Sequence, residues 1–115
     1  MALDEQDPRQ HWLGRIAVVS AFGALDLLTS PPLEQLLTST LEEAPGGLIV
    51  DLTEVNFLSS AGMQVLVNTH AAATPDIGFA VVAEGRSTSR PLALVGLTEI
   101  LAVVPTLQDA VDKLS

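Results

Sequence analysis

Four short apolar runs, most of them rich in β-branched residues, alternate along this chain with segments whose apolar residues recur at helical spacing. The runs are Ile16-Ala-Val-Val19, Leu48-Ile-Val50, Phe79-Ala-Val-Val82 and the stretch from Ile100 to Val104. After the first comes a helical stripe of Leu33, Leu36, Leu37 and Leu41, and after the second one of Met63, Leu66, Val67 and Ala71. After the third, Ser89-Arg90-Pro91 starts a short helix through Leu94. After the fourth, a helix from Thr106 to Leu114 has Leu107, Val111 and Leu114 on one side. Such alternation implies parallel strands joined by right-handed crossovers. The fold class is therefore α/β, a mixed and mostly parallel sheet of four to five strands with about four α-helices packed on it.

Punctuation sets the boundaries. Ser30-Pro31-Pro32 offers a capping hydroxyl followed by Pro in the first helical turn, and Pro45-Gly46-Gly47 stops that helix. Ser59-Ser60 caps the second helix and Pro75 ends it. Thr53 to Phe57 reads as a connection between strand and helix, and the first strand is expected to end near Gly23. Residues 1–11 read as a flexible polar tail, which leaves 12–115 as one domain. A strand over 10–14 is conceivable, but Gly14 counts against it.

Composition narrows the function classes. The 115 residues carry five Lys and Arg against 14 Asp and Glu, a formal charge of −9, which repels nucleic-acid backbones and anionic membrane surfaces alike. There is no cysteine, hence no disulfide, thiolate-zinc site or thiol nucleophile. Trp12, Phe22, Phe57 and Phe79 are too few to form a stacking platform. The polar, acidic start lacks the pattern of a signal peptide, and no apolar run reaches membrane-spanning length, so a cytoplasmic location is expected.

Catalysis finds no support. No Gly-x-Ser-x-Gly elbow occurs, and the two histidines, His11 and His70, fall in the tail and within a helix. Asp51, Glu54 and the histidines lack metal-ligand spacing. Gly46-Gly47 precedes a strand and has no P-loop lysine. No enzyme activity, cofactor or metal is expected.

What remains is the stretch from Leu48 to Leu66, which runs strand, loop and helix start, and sets Ser59 and Ser60 at a helix N-terminus. Serine there is the ordinary cap, and the same place suits a phosphate, held by free N–H groups and the positive dipole end. The residues alone leave both readings open.

The stretch resembles the anti-sigma factor antagonist (STAS domain) family of bacteria, whose signature is Asp-Leu-Ser-x-Val-x-Phe-Leu-Asp-Ser-Ser-Gly-Leu. Asp51, Leu52, Thr53, Val55, Phe57, Leu58, Ser60, Gly62 and Met63 stand in register with it without gaps. Gly23-Ala-Leu-Asp26 is similar to the family's Gly-Glu-Leu-Asp turn. Leu94 to Leu97, with Ile100-Leu101, is similar to its third helix and last strand. The resemblance spans roughly residues 14–113. It implies a module that binds an anti-sigma factor with serine-kinase activity and so releases a sigma factor for transcription. It also implies that the kinase ends binding by phosphorylating a serine at the start of the second helix. A phosphate would add about −1.5 to −2 charge at an interface fitted to a neutral hydroxyl.

One departure bears on that switch. The family's acceptor is the second serine of Asp-Ser-Ser-Gly, and Ala61 stands there; Ser59 replaces the aspartate. Either Ser60 or Ser59 accepts the phosphate instead, or the module is not switched in this way. A shift of one position turns a helical side chain by about 100°, so these serines do not simply substitute for position 61. The resemblance implies a partner surface of Asp26, Ser59, Ser60, Ala61, Gly62 and Met63.

Other positions have plainer readings beside it. Asp26 equally suits a local Asx turn, Thr29 and Ser30 cap the first helix, and Asp51 is placed to bond the loop that presents Ser60. Gly62 suits close backbone approach or a partner surface, and the basic, hydroxyl-rich stretch from Arg86 to Arg90 reads as a solvated turn, with a contact or modification site as the alternative. Monomer and homodimer stay open. So do two further classes: a STAS scaffold subunit of a membrane transport or signalling assembly, and a small-ligand sensor using the helix N-terminus.

Overall fold

The computed structural model describes residues 7–73 and 75–115. The elements, in chain order, are β1 (Arg9–Leu13), β2 (Ile16–Leu25), α1 (Ser30–Glu42), β3 (Gly47–Leu58) and α2 (Ser60–Ala73). They continue with β4 (Gly78–Val82), α3 (Ser89–Leu94), a 3-10 turn at Leu97–Glu99, β5 (Val103–Val104) and α4 (Leu107–Leu114). The strands form one sheet in the order β1-β2-β3-β4-β5. β1 is antiparallel to β2, and every other pairing is parallel. This is the mixed, mostly parallel α/β sheet that the alternation predicts.

Strand alternation divides the core into two unequal layers. Ala17, Val19, Leu48, Val50, Phe79 and Val81 face α1, α2 and α3, where Leu33, Leu37, Leu66 and Leu92 are fully buried. Val18, Ile49, Ala80 and Val82 face the other way, onto α4 through Ala110 and its half-buried neighbours Leu107, Val111 and Leu114. α4 is well started: the Thr106 hydroxyl accepts the Asp109 N–H at 3.1 Å.

The structure departs from the sequence reading in places that share a physical cause. β3 does not end near Val50 but continues to Leu58, through residues read as a connection. Its buried residues there are Leu52, Val55 and Leu58, three apart, with Thr53, Glu54, Asn56 and Phe57 exposed between them. Two register shifts against β2, at Ser20/Phe22 and Gly23/Ala24, each give β3 one extra residue. Each bulge resets the two-residue period, so a real strand shows a period that matches no strand. For the same reason β2 runs past Gly23, whose φ is +73° at the second shift, to Leu25.

The polar start needs a similar correction. β1 begins at Arg9, so 9–11 belong to the sheet rather than to a tail; residues 1–6 lie outside the described part. Gly14, which counted against a strand, is the turn itself. With φ +63° it occupies the first position of the two-residue hairpin loop between Leu13 and Ile16, where a glycine is favoured. The fourth run contributes only Val103–Val104 as strand. Finally, Ser30 does not cap α1. The cap position is Thr29, and the Ser30 hydroxyl is buried without a hydrogen-bond partner.

Candidate functional site

β4 pairs with β3 only as far as Asp51, so the remaining seven residues of β3 pair with β2 alone. The two strands thus form an arm that extends roughly 20 Å past the end of β4. Its tip carries the loop from Asp26 to Thr29 on one strand and the start of α2 on the other. The Ser59 N–H donates to the Leu25 carbonyl at 2.9 Å, which ties the two strand ends together.

Gly62 sets how closely α2 approaches this arm. A Cβ there would stand 2.8 Å from Leu58 Cδ1 and 3.0 Å from Leu25 Cβ, closer than packed carbons tolerate. Gly62 is buried, so it works by what it lacks. It lets the first turn of α2 rest on the paired ends of β2 and β3, which is the close-approach reading of this glycine. Met63 is half-buried and packs against the same core.

The three residues before Gly62 differ in kind. Ser59 is the cap of α2: its carbonyl accepts the Met63 N–H at 3.0 Å and its hydroxyl accepts the Gly62 N–H at 3.3 Å. Ser60 is the first helical residue and is exposed. Ala61 is half-buried and brings a methyl group where a serine would bring a hydroxyl.

The Asp26 loop is held by its own polar groups. Asp26 Oδ1 accepts the N–H of Leu28 at 2.9 Å and of Thr29 at 3.1 Å. The Thr29 hydroxyl accepts the Asp26 N–H at 2.8 Å and lies 2.6 Å from the Ala24 carbonyl and 3.1 Å from Asp26 Oδ1. Donation from the Thr29 and Leu28 N–H groups, joined by the Thr29 hydroxyl, holds the Asp26 carboxyl below its ordinary value of 3.8. The Asx-turn reading of Asp26 is thus realised in full. Fixing this loop also fixes Leu27 and Leu28 outward, 81% and 86% exposed. Asp26, Leu27, Leu28, Ser59, Ser60 and Ala61 line one open depression of about 490 Å³. Neither leucine was singled out from sequence. The available signal was an apolar pair, Leu27-Leu28, between an Asx turn and a proline-started helix, where polar residues are usual.

The remaining candidates fall elsewhere. Asp51 lies within β3 at the first bulge and its Oδ1 bonds the N–H and hydroxyl of Thr53, so it does not support the loop at Ser60. His70 is half-buried and tilted against Phe79, with ring centroids 6.1 Å apart. Arg86 and Arg90 line a second depression with Pro91 and Leu94, beyond the end of β4. Among the described residues no group of three His, Asp or Glu side chains is placed to hold a metal. No helix among them is long and apolar enough to cross a membrane.

Comparison with known proteins agrees with this geometry. The STAS domain family model matches residues 10–110. The anti-sigma-F factor antagonist RsfB of Mycobacterium tuberculosis is 37% identical over 95 residues, which is 83% of this chain and 78% of that protein. The crystal structure of an anti-sigma factor antagonist from Mycobacterium paratuberculosis superposes with a TM-score of 0.90 at 36% identity, covering 93% of this chain and 92% of that one. The unphosphorylated anti-sigma factor antagonist SpoIIAA shares the fold alone, with a TM-score of 0.74 at 15% identity over 92% of this chain and 94% of that one.

Proposed function

This chain belongs to the STAS domain family, and from that premise we propose that it acts as an anti-sigma factor antagonist, binding an anti-sigma factor and so releasing a sigma factor for transcription. The observation that carries the reading is the 37% identity to an anti-sigma-F factor antagonist over most of both chains. The arm tip supports it physically. Two leucines more than 80% exposed sit on a loop pinned by five side-chain hydrogen-bonding contacts at Asp26 and Thr29, so the apolar surface is held ready rather than mobile. Exposed apolar residues framed by polar groups favour protein contact. The partner surface is Asp26, Ser59, Ser60 and Ala61 with Leu27 and Leu28, while Gly62 and Met63 shape it from beneath.

Regulation is the second part of the proposal. Ala61 offers no oxygen, so phosphorylation at the position implied by the family resemblance is impossible in this chain. Ser59 spends its hydroxyl on the Gly62 N–H, and only Ser60 is exposed. We read the module as binding its partner without that switch, with Ser60 the residue a partner kinase would have to use. The test has two steps. Isothermal titration with the anti-sigma-F-type factor of the same organism is expected to show a one-to-one complex, and added antagonist is expected to release sigma factor from that protein. No heat and no release would overturn the reading. Incubation with the same protein and ATP, followed by mass spectrometry, is expected to leave residues 59–61 unmodified; a phosphate on Ser60 would restore the switch.

A further inference from the structure

The open edges of the sheet are not equally protected. β5, at one edge, is two residues long. The stretch of β3 beyond β4 carries both register shifts and Glu54, features that discourage strand addition. β1, at the other edge, pairs with β2 in unbroken register over Arg9–Leu13 and contains no proline, bulge or carboxylate. Its Arg9 guanidinium is drawn inward over the Phe22 ring, 5.3 Å from the centroid. Trp12 and Leu13 are each 40% exposed.

The hairpin decides which backbone groups of β1 are left over. A two-residue loop is closed by a hydrogen-bonded pair, here Leu13 with Ile16, and such pairs alternate with non-bonded ones along the ladder. Arg9, His11 and Leu13 therefore turn their N–H and C=O groups toward β2, and Gln10 and Trp12 turn theirs outward. Among the described residues nothing else bonds those outward groups. Two copies related by a twofold axis can pair these edges antiparallel, and the residue on the axis sets the register. Centred on Gln10, Trp12 meets Pro8 of the second copy, which has no N–H; centred on Trp12, Gln10 meets the turn residue Gly14. Centred on His11, Gln10 of each copy meets Trp12 of the other, and every outward group is bonded. The charge of −9 opposes self-association at long range. None of the acidic residues lies between Arg9 and Arg15, however, and the same register sets Arg15 level with Asp7 of the second copy.

We propose that β1 is a homodimer edge, on which two copies pair antiparallel about His11 and join their five-stranded sheets into one. A pairing this short lies at the small end of specific interfaces, so the dimer dissociates in the micromolar range. The antiparallel pairing points the two arms in opposite directions, which leaves both tips open and presents two partner surfaces at once. The inference does not depend on the antagonist reading.

Sedimentation equilibrium from micromolar to millimolar concentration is expected to show a monomer–dimer equilibrium, and emission of Trp12, the single tryptophan, is expected to shift to the red on dilution. Trp12→Pro removes an N–H that faces the second copy and not β2, so it is expected to keep a cooperative melt and weaken the dimer about tenfold or more. The register is read by cysteine, which the chain lacks. His11→Cys places the thiols opposite one another across the axis and is expected to give a disulfide-linked dimer with oxidised glutathione. In Leu13→Cys the two positions stand about 13 Å apart along the strands, beyond the reach of a disulfide. Should Trp12→Pro lose its fold, the two cysteine variants decide alone. A chain that stays monomeric at millimolar concentration overturns the inference, even if a partner protein adds its own strand to β1. So does a dimer that cross-links equally through positions 11 and 13, since its interface would lie elsewhere.

Discussion

The loop after β2 and the loop after β4 both leave the sheet at the C-terminal ends of parallel strands, yet they are built differently. The first sits at the tip of a two-stranded arm, carries a carboxylate, and is fixed by Asp26 and Thr29 accepting and donating within four residues. The second sits where β4 stops, carries Arg86 and Arg90, and is fixed by Ser89, whose hydroxyl accepts the Gly85 N–H at 2.8 Å. At the first, local polar bonding holds two leucines in water; at the second, the arginines are simply solvated beside Leu94, which is 75% exposed. In α/β sheets sites gather at these strand ends. The difference teaches which end is organised for a partner: ordered backbone and exposed apolar side chains meet at the arm tip.

The comparison is broken most sharply by removing the leucines. Leu27→Ser with Leu28→Ser is expected to weaken anti-sigma factor binding about 100-fold, as expected for apolar anchors at the centre of an interface. The same pair should leave the melting temperature almost unchanged, because both residues are exposed in the free protein. Calorimetric binding and thermal melts on one preparation check both. Loss of stability in step with affinity would move the leucines from the interface to the fold.

Gly62 gives the next largest effect. Gly62→Ala is expected to cost about 1–2 kcal/mol, the penalty of overpacking against Leu58 and Leu25 less the helix propensity that alanine gains. Urea unfolding measures it, and an unchanged midpoint would show that α2 is free to lift off the arm.

The Asp26 loop provides a smaller effect, read by pH. The folded protein holds this carboxyl below 3.8, so its contribution is fully present above that value and is lost as pH falls through the depressed one. The amide signals of Leu28 and Thr29 are expected to titrate together with a midpoint below 3.8 and to stop titrating in Asp26→Asn. A midpoint at or above the ordinary value would mean that the Asx turn is not formed in solution.

Arg86→Ala with Arg90→Ala is the smallest, expected to change anti-sigma factor affinity by no more than about twofold, as for charges at or outside an interface rim. A tenfold loss would make the β4 end part of the binding surface.

How much of this was legible in the sequence follows from period. The strands at Ile16, Leu48 and Phe79 and the stripes of α1 and α2 show their period undisturbed, so both type and order could be read. The arm could not, because two bulges convert Leu52, Val55 and Leu58 to a spacing of three, and a strand partner is needed to recognise a bulge. β1 was obscured by a glycine whose meaning depends on φ. At the site, Asp26, Ser59, Ser60 and Ala61 were reached from the family resemblance, and the structure brings all four to one depression. Leu27, Leu28 and Ser30 were not. Exposure of the first two follows from the Asp26–Thr29 hydrogen bonds and isolation of the third from its burial at the start of α1, neither of which a capping rule applied to Ser30-Pro31-Pro32 contains.

Hydrogen exchange on the chain with and without the anti-sigma factor tests the central claim most directly. The account predicts that slowed exchange appears at residues 26–30 and 59–64, the arm tip and the two helix starts. Protection confined to residues 84–95 would contradict it.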